Sequence, residues 1–165
     1  MIKLFIWCLF LLPFLSSNHK INHTETELFD KAVACIKKYE GWHDSRHYPY
    51  VGYGHRLLKE DKFNHLISEA FADSLLRKDL LQKCAQFRKF GKDSLILGVL
   101  AYNTGEYRLL GYGELPKSRL IKKLEQGNRM IYIEYVSYCR YKGKVIPSLR
   151  KRREEEYQLL FINNQ

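Results

Sequence analysis

The 165-residue sequence predicts a mostly helical α+β domain with a small β-hairpin near its amino terminus. Three observations predict it. Apolar residues recur at helical spacing through several separate stretches. One further stretch is apolar nearly all round, as a helix at the centre of a helical domain must be. Between Gly41 and His55 the helical period is lost among Gly, Pro and Tyr. With 45% hydrophobic and 28% charged residues, the chain is too apolar for disorder and too short for two full domains.

Residues 1–17 stand apart from the rest. Lys3 precedes an apolar run from Leu4 to Leu15, shorter than the roughly 20 residues that span a bilayer and of the length of a signal-peptide core. The segment reads as a signal peptide or, uncleaved, a membrane anchor. Residues 18–165 then form one domain, exported to the periplasm or secreted, with transient membrane association through residues 1–17.

Within that domain, Thr24 and Glu27 have the spacing of a capping box, and Leu28, Phe29, Ala32, Cys35, Ile36 and Tyr39 follow at helical spacing. A helix is predicted over 25–39. From Gly41 to His55, breakers alternate with Tyr48, Tyr50, Val51 and Tyr53, which favour extended chain. Ser68 caps a second helix whose apolar stripe runs from Ala70 and Phe71 through Leu75, Leu76, Leu80 and Leu81 to Cys84. Residues 94–102 form the all-apolar helix, ended by Gly105. Further helices are predicted over 118–124, 128–138 and 147–161, with Lys142, Gly143 and Lys144 in a loop between the last two.

The charge is uneven. Of 28 Lys and Arg, 12 lie between Lys117 and Arg153, against 2 Glu there; elsewhere 16 cations face 16 of the 18 acids. A cluster of this kind attracts nucleic acid, anionic lipid or an anionic wall polymer, or simply solvates a helical face. Export favours the lipid and the wall over nucleic acid, so no nucleic-acid partner is expected. Cys8 lies in the leader, leaving Cys35, Cys84 and Cys139, an odd number without CxxC spacing, which read as small apolar fillers. Asn22, His23 and Thr24 match a glycosylation sequon, a weak signal. His43, Asp44 and His47 offer metal donors, but Gly41 and Pro49 bracket them and remove helical ligand geometry. No metal site and no cofactor are expected.

Glu40 carries the chemical expectation. It falls at the carboxyl end of a predicted helix, where the dipole favours the protonated acid, and Tyr39, Trp42, Tyr48 and Tyr50 lie near it in sequence. A carboxylic acid that keeps its proton beside aromatic rings is suited to protonating the leaving oxygen of a glycoside. A helix-terminal Glu is more often simply a surface residue.

The order of motifs strengthens this expectation. Tyr39-Glu40-Gly41-Trp42 followed by Val51-Gly52-Tyr53-Gly54-His55 resembles the amino-terminal signature of phage-type lysozymes. The likeness continues through Ser68-Glu69-Ala70, Leu75-Leu76, Asp79-Leu80, the stretch from Ser94 to Gly105, Lys117-Ser118, and Gly143 to Pro147 with Arg152-Arg153-Glu154, covering about 27–161. The resemblance implies a lysozyme-like fold and a peptidoglycan hydrolase that cuts the β-1,4 bond between N-acetylmuramic acid and N-acetylglucosamine, by direct attack of water with inversion; a monomer is expected. The alternative is a non-catalytic cell-wall-binding protein of the same fold.

Carried over residue by residue, the resemblance makes Glu40 the proton donor. The family's second carboxylate falls to Asp44 by elimination, because the interval from Gly41 to Gly52 is shortened here; Asp44 also reads as a solvated turn residue. Tyr50 takes the place of the hairpin Thr that helps hold the attacking water. Tyr53, Asn103 and Gly105 would approach the sugar, while Asn103 and Gly105 read equally as a helix cap. His55 and Asp79 would form a structural ion pair, raising the His pKa and lowering that of the Asp. Arg150 lies near a basic partner position for the catalytic Glu, in a register left ambiguous by Lys151, Arg152 and Arg153; the last two read as a solvated face offset by Glu154, Glu155 and Glu156.

Overall fold

The structure, a computed structural model, describes residues 23–162. The apolar leader, the sequon at Asn22 and the Thr24 capping side chain lie outside the described residues. Helix α1 (His23–Glu40) buries Ala32, Cys35 and Ile36 of its predicted stripe, and Val33 beside them. It ends where the backbone turns left-handed at Gly41 (φ 65°), whose N–H bonds the Lys37 carbonyl at 3.1 Å. Glu40 is thus the last helical residue.

A short 3₁₀ turn (Ser45–His47) leads into an antiparallel hairpin of β1 (Tyr50–Val51) and β2 (His55–Arg56), with Val51 opposite His55. The hairpin docks on α2 (Glu69–Gln86) at Gly52: a Cβ there would come within 2.7 Å of the Ala72 Cβ. Only glycine permits that approach and the positive φ of 57° together. Ser68 caps α2 by accepting the Phe71 N–H at 3.2 Å. Phe71 and Leu81, counted in the predicted stripe, are exposed on this helix.

After a 3₁₀ stretch (Arg88–Asp93) comes α3 (Ser94–Thr104), in which Ile96 to Ala101 are all buried against α1, α2 and α7 (Pro147–Leu160). It is the central helix that its composition predicts. Gly98 lets it touch α2, since a Cβ there would stand 2.5 Å from Cys84 Sγ and 3.0 Å from the Cys84 backbone nitrogen.

Short helices α4 (Tyr107–Leu110), α5 (Arg119–Glu125) and α6 (Tyr132–Val136) complete the second lobe. The helix predicted over 128–138 shrinks to α6 because Asn128 Oδ1 accepts the Met130 N–H at 2.9 Å, holding the chain in a turn until the buried Ile131. The predicted loop at Lys142 and Gly143 is the tip of a second hairpin, β3 (Arg140–Tyr141) with β4 (Lys144–Val145). Both tip residues have positive φ, as a two-residue hairpin turn requires.

Cys35, Cys84 and Cys139 are free thiols, and burial pushes the first two up to about 11, so they pack as apolar fillers. Among the described residues no helix is long and apolar enough to cross a membrane.

Candidate active site

Glu40, at the end of α1, lines a cleft of about 280 Å³ with His43, Tyr50, Gly54, Tyr102 and Asn103. Three elements meet there: the end of α1, the first hairpin, and the last turn of α3. The turn at Gly54 brings backbone against the acid, for a Cβ there would stand 3.9 Å from Glu40 Cγ and 3.7 Å from the Tyr102 ring.

Of the aromatic surround expected for Glu40, the structure brings only Tyr50 into the cleft lining. Trp42 and Tyr48 are 43% and 79% exposed and do not line the cleft, and the Tyr39 hydroxyl donates to Glu155 at 2.6 Å. Buried charge takes the place of rings. Arg152 Nη2 stands 2.8 Å from Glu40 Oε1, and Asn103 Nδ2 donates to the same oxygen at 3.2 Å. Glu40 Oε2 has no partner among the described residues.

Behind this contact lies a network whose members Tyr135, Arg152, Arg153 and Glu156 are buried. Arg153 donates from Nη2 to Asn103 Oδ1 at 2.5 Å and from Nη1 to Glu156 Oε2 at 2.6 Å. Arg152 Nε donates to Glu156 Oε1 at 2.8 Å, and the Tyr135 hydroxyl donates to Glu156 Oε2 at 2.9 Å. One carboxylate therefore holds both guanidinium groups, and Arg153 fixes the Asn103 amide with its NH₂ toward Glu40. The solvated face expected for Arg152 and Arg153 is corrected: their exposures are 3% and 0%, and that of Glu156 is 0%. Arg150 faces water and pairs with Glu154 at 3.0 Å, so Arg152 is the basic partner of Glu40. A signal for this existed in the sequence. Leu149, Arg153, Glu156 and Leu160 recur at helical spacing, which puts the last three on one buried face of α7.

A comparison with protein families decides what this arrangement is related to. The profile described as phage lysozyme matches residues 37–156, from the last turn of α1 to Glu156 in α7. The chain belongs to the phage lysozyme family. Among solved structures it is similar to the muramidase domain of SpmX from Asticaccaulis excentricus, with a TM-score of 0.55 and 19% identity, covering 81% of this chain and 96% of that one. At that identity the likeness concerns the fold, which is lysozyme-like. A search of curated proteins returns no match.

Against the lysozyme-family expectations, the residues separate into two groups. Glu40, Tyr50 and Asn103 share the cleft; Asp44, Tyr53 and Gly105 do not line it. Asp44 caps the 3₁₀ turn, accepting the Arg46 N–H at 3.0 Å, and forms a two-pronged ion pair with the Arg46 guanidinium at 3.0 and 2.5 Å. These bonds hold its carboxyl well below the usual carboxylate range. Tyr53 turns its hydroxyl to Glu69 at 2.8 Å, under Lys37, and offers only its carbonyl to Tyr102. Gly105 closes α3 at φ 83°, with Tyr107 filling the space a side chain would need.

His55 Nδ1 lies 2.7 Å from Asp79 Oδ2, tying the hairpin to α2, and Asp61 adds a contact to Nε2 at 3.2 Å. The bond to Asp79 raises the His55 pKa, against the opposing effect of burial. His43, which the sequence offers only as a metal donor, and Tyr102, which it offers only as part of the central helix, are the side chains at the cleft that sequence reasoning misses.

Proposed function

We propose that the protein is a muramidase that hydrolyses the β-1,4 bond between N-acetylmuramic acid and N-acetylglucosamine in peptidoglycan, with Glu40 as the general acid. One observation carries this reading: Glu40 lines a cleft with one carboxyl oxygen held by Arg152 and Asn103 and the other without a partner among the described residues. With Oε1 held by Arg152 and Asn103, Oε2 is the oxygen left to carry the transferable proton. Proton transfer from Oε2 to the glycosidic oxygen lets the bond to the leaving sugar break as water attacks the anomeric carbon from the other face. Tyr50 and Tyr102 supply ring surface on which a sugar face can pack.

A wall-binding protein without hydrolytic activity is favoured by one feature, the lack of a second carboxylate in the cleft among the described residues. Release of new reducing ends from purified peptidoglycan separates the two. The muramidase releases them, and Glu40→Gln lowers the rate by about 10²-fold or more while leaving wall adsorption intact. Adsorption without release, in the wild type, selects the binder. Export to the periplasm or medium is part of the proposal, supported by the leader sequence, and cell fractionation tests it.

A further inference from the structure

Among the described residues, the cleft around Glu40 lacks the second acidic group that hydrolysis with inversion ordinarily uses to activate water. Asp44 has its oxygens committed to Arg46 and the 3₁₀ turn, outside the cleft lining. Besides Glu40, the titratable side chains lining the cleft are His43, Tyr50 and Tyr102. Tyr102 is spent, since its hydroxyl donates to the Tyr53 carbonyl at 2.9 Å and burial pushes its pKa far up. Phenols as a class keep their protons at neutral pH and are poor bases there. That leaves one imidazole.

We propose that His43 is the catalytic base of this protein, taking the proton from the attacking water; the inference rests on the muramidase reading above. Its backbone is fixed, for the His43 N–H donates to the Gly52 carbonyl at 2.7 Å and the Gly52 N–H donates back at 3.1 Å, locking the residue to the hairpin. Its ring is fixed as well. Nδ1 stands 3.3 Å from the same Gly52 carbonyl, an acceptor only, so Nδ1 carries the hydrogen and Nε2 carries the lone pair. Among the described residues Nε2 has no hydrogen-bond partner, which leaves it available to a water. The packed rings of His47 at 5.0 Å and Tyr50 at 6.2 Å limit its swing.

The step balances without a further reactant. Water gives one proton to His43 Nε2 as its oxygen bonds the anomeric carbon; the bond from that carbon to the leaving oxygen breaks, and Glu40 Oε2 gives that oxygen its proton. Imidazolium and carboxylate remain, and solvent returns both to their starting states. Because water is the nucleophile, the product has the inverted anomeric configuration.

The test is steady-state cleavage of a soluble muropeptide chain by wild type, Glu40→Gln, His43→Gln, His43→Ala and Asp44→Asn, with the product anomer read by proton NMR and each fold checked by melting. The inference expects His43→Gln to lower kcat by about 10²–10⁴-fold with little change in KM. It also expects added imidazole to restore part of the His43→Ala rate, and the product to be inverted. It is overturned if His43→Gln retains near-wild-type kcat, if Asp44→Asn loses more kcat than His43→Gln, or if the anomer is retained. Absence of cleavage by the wild type overturns the muramidase reading itself, and full activity in Glu40→Gln overturns Glu40 as its acid, so these failures are distinct from that of His43.

Discussion

At the scale of single residues, the organising group is Glu156, a carboxylate with no exposure whose two oxygens divide between Arg152 and Arg153. Removing it leaves the buried Arg153 without a carboxylate and Arg152 with Glu40 alone. Glu156→Leu should therefore cost about 3–5 kcal/mol of stability, read by chemical denaturation, and should free Asn103 and Arg152 from their registers beneath Glu40. A loss below 1 kcal/mol would mean that the arginines find water or other partners. His55 gives a second test. Its pKa is raised chiefly by Asp79, so its contribution to stability is complete below the unfolded histidine value of about 6.5 and is lost as pH rises through the higher folded value. Asp61, lowered chiefly by the Leu58 N–H and further by His55, contributes above the ordinary carboxylate range and loses that contribution in acid. Asp79→Asn should bring the His55 titration downward by NMR; an unchanged midpoint would show that the contact is not what holds the proton. Much of this was open to sequence reading. Glu40, Asn103, His55 and Asp79 follow from motif order, whereas Arg152 and Arg153 hide in a run of charges whose buried members differ from the solvated ones only by helical phase.

At the scale of elements, stretches marked by a stripe or a cap declare themselves, down to the seven residues of α5 behind Ser118, and the shortest ones do not. Helices α1, α2, α3 and α7 match their predicted ranges within two residues, because each has a stripe or a cap to mark it. Four-residue α4 and the hairpin of β3 and β4 have too few residues for either period, and depend on turn chemistry at Gly111 and at Lys142 and Gly143. The α2 to α3 contact makes the sharpest element-scale prediction. Replacing Gly98 by Ala gains about 1 kcal/mol of helix propensity but drives a methyl into Cys84 backbone and sulfur. Overpacking of that kind costs about 1–3 kcal/mol, so Gly98→Ala should lower Tm, and combining it with Cys84→Ala should recover only the part due to the sulfur.

For the whole molecule, the excess of positive charge in the last third is partly spent inside the fold. Lys117 and Lys123 pair with Glu125 and Glu134, Arg129 with Asp93, and Arg152 and Arg153 with Glu156. Arg119, Lys122, Arg140, Lys142, Lys144 and Lys151 are exposed and have no carboxylate within 4.0 Å among the described residues. These are the charges able to draw the protein to an anionic wall. Exchanging Lys142 and Lys144 for Glu should weaken adsorption to wall polymer and reduce its salt sensitivity, with turnover of a short soluble substrate unaltered; adsorption indifferent to both would place the attraction elsewhere. The central position of α3 has a final consequence. Its interior turns form the core and its last turn supplies Tyr102 and Asn103, so a slip of one residue along its axis would swing Asn103 by about 100° away from Glu40. Because the core helix carries that side of the cleft, on warming the loss of activity and the loss of helical signal should follow one curve.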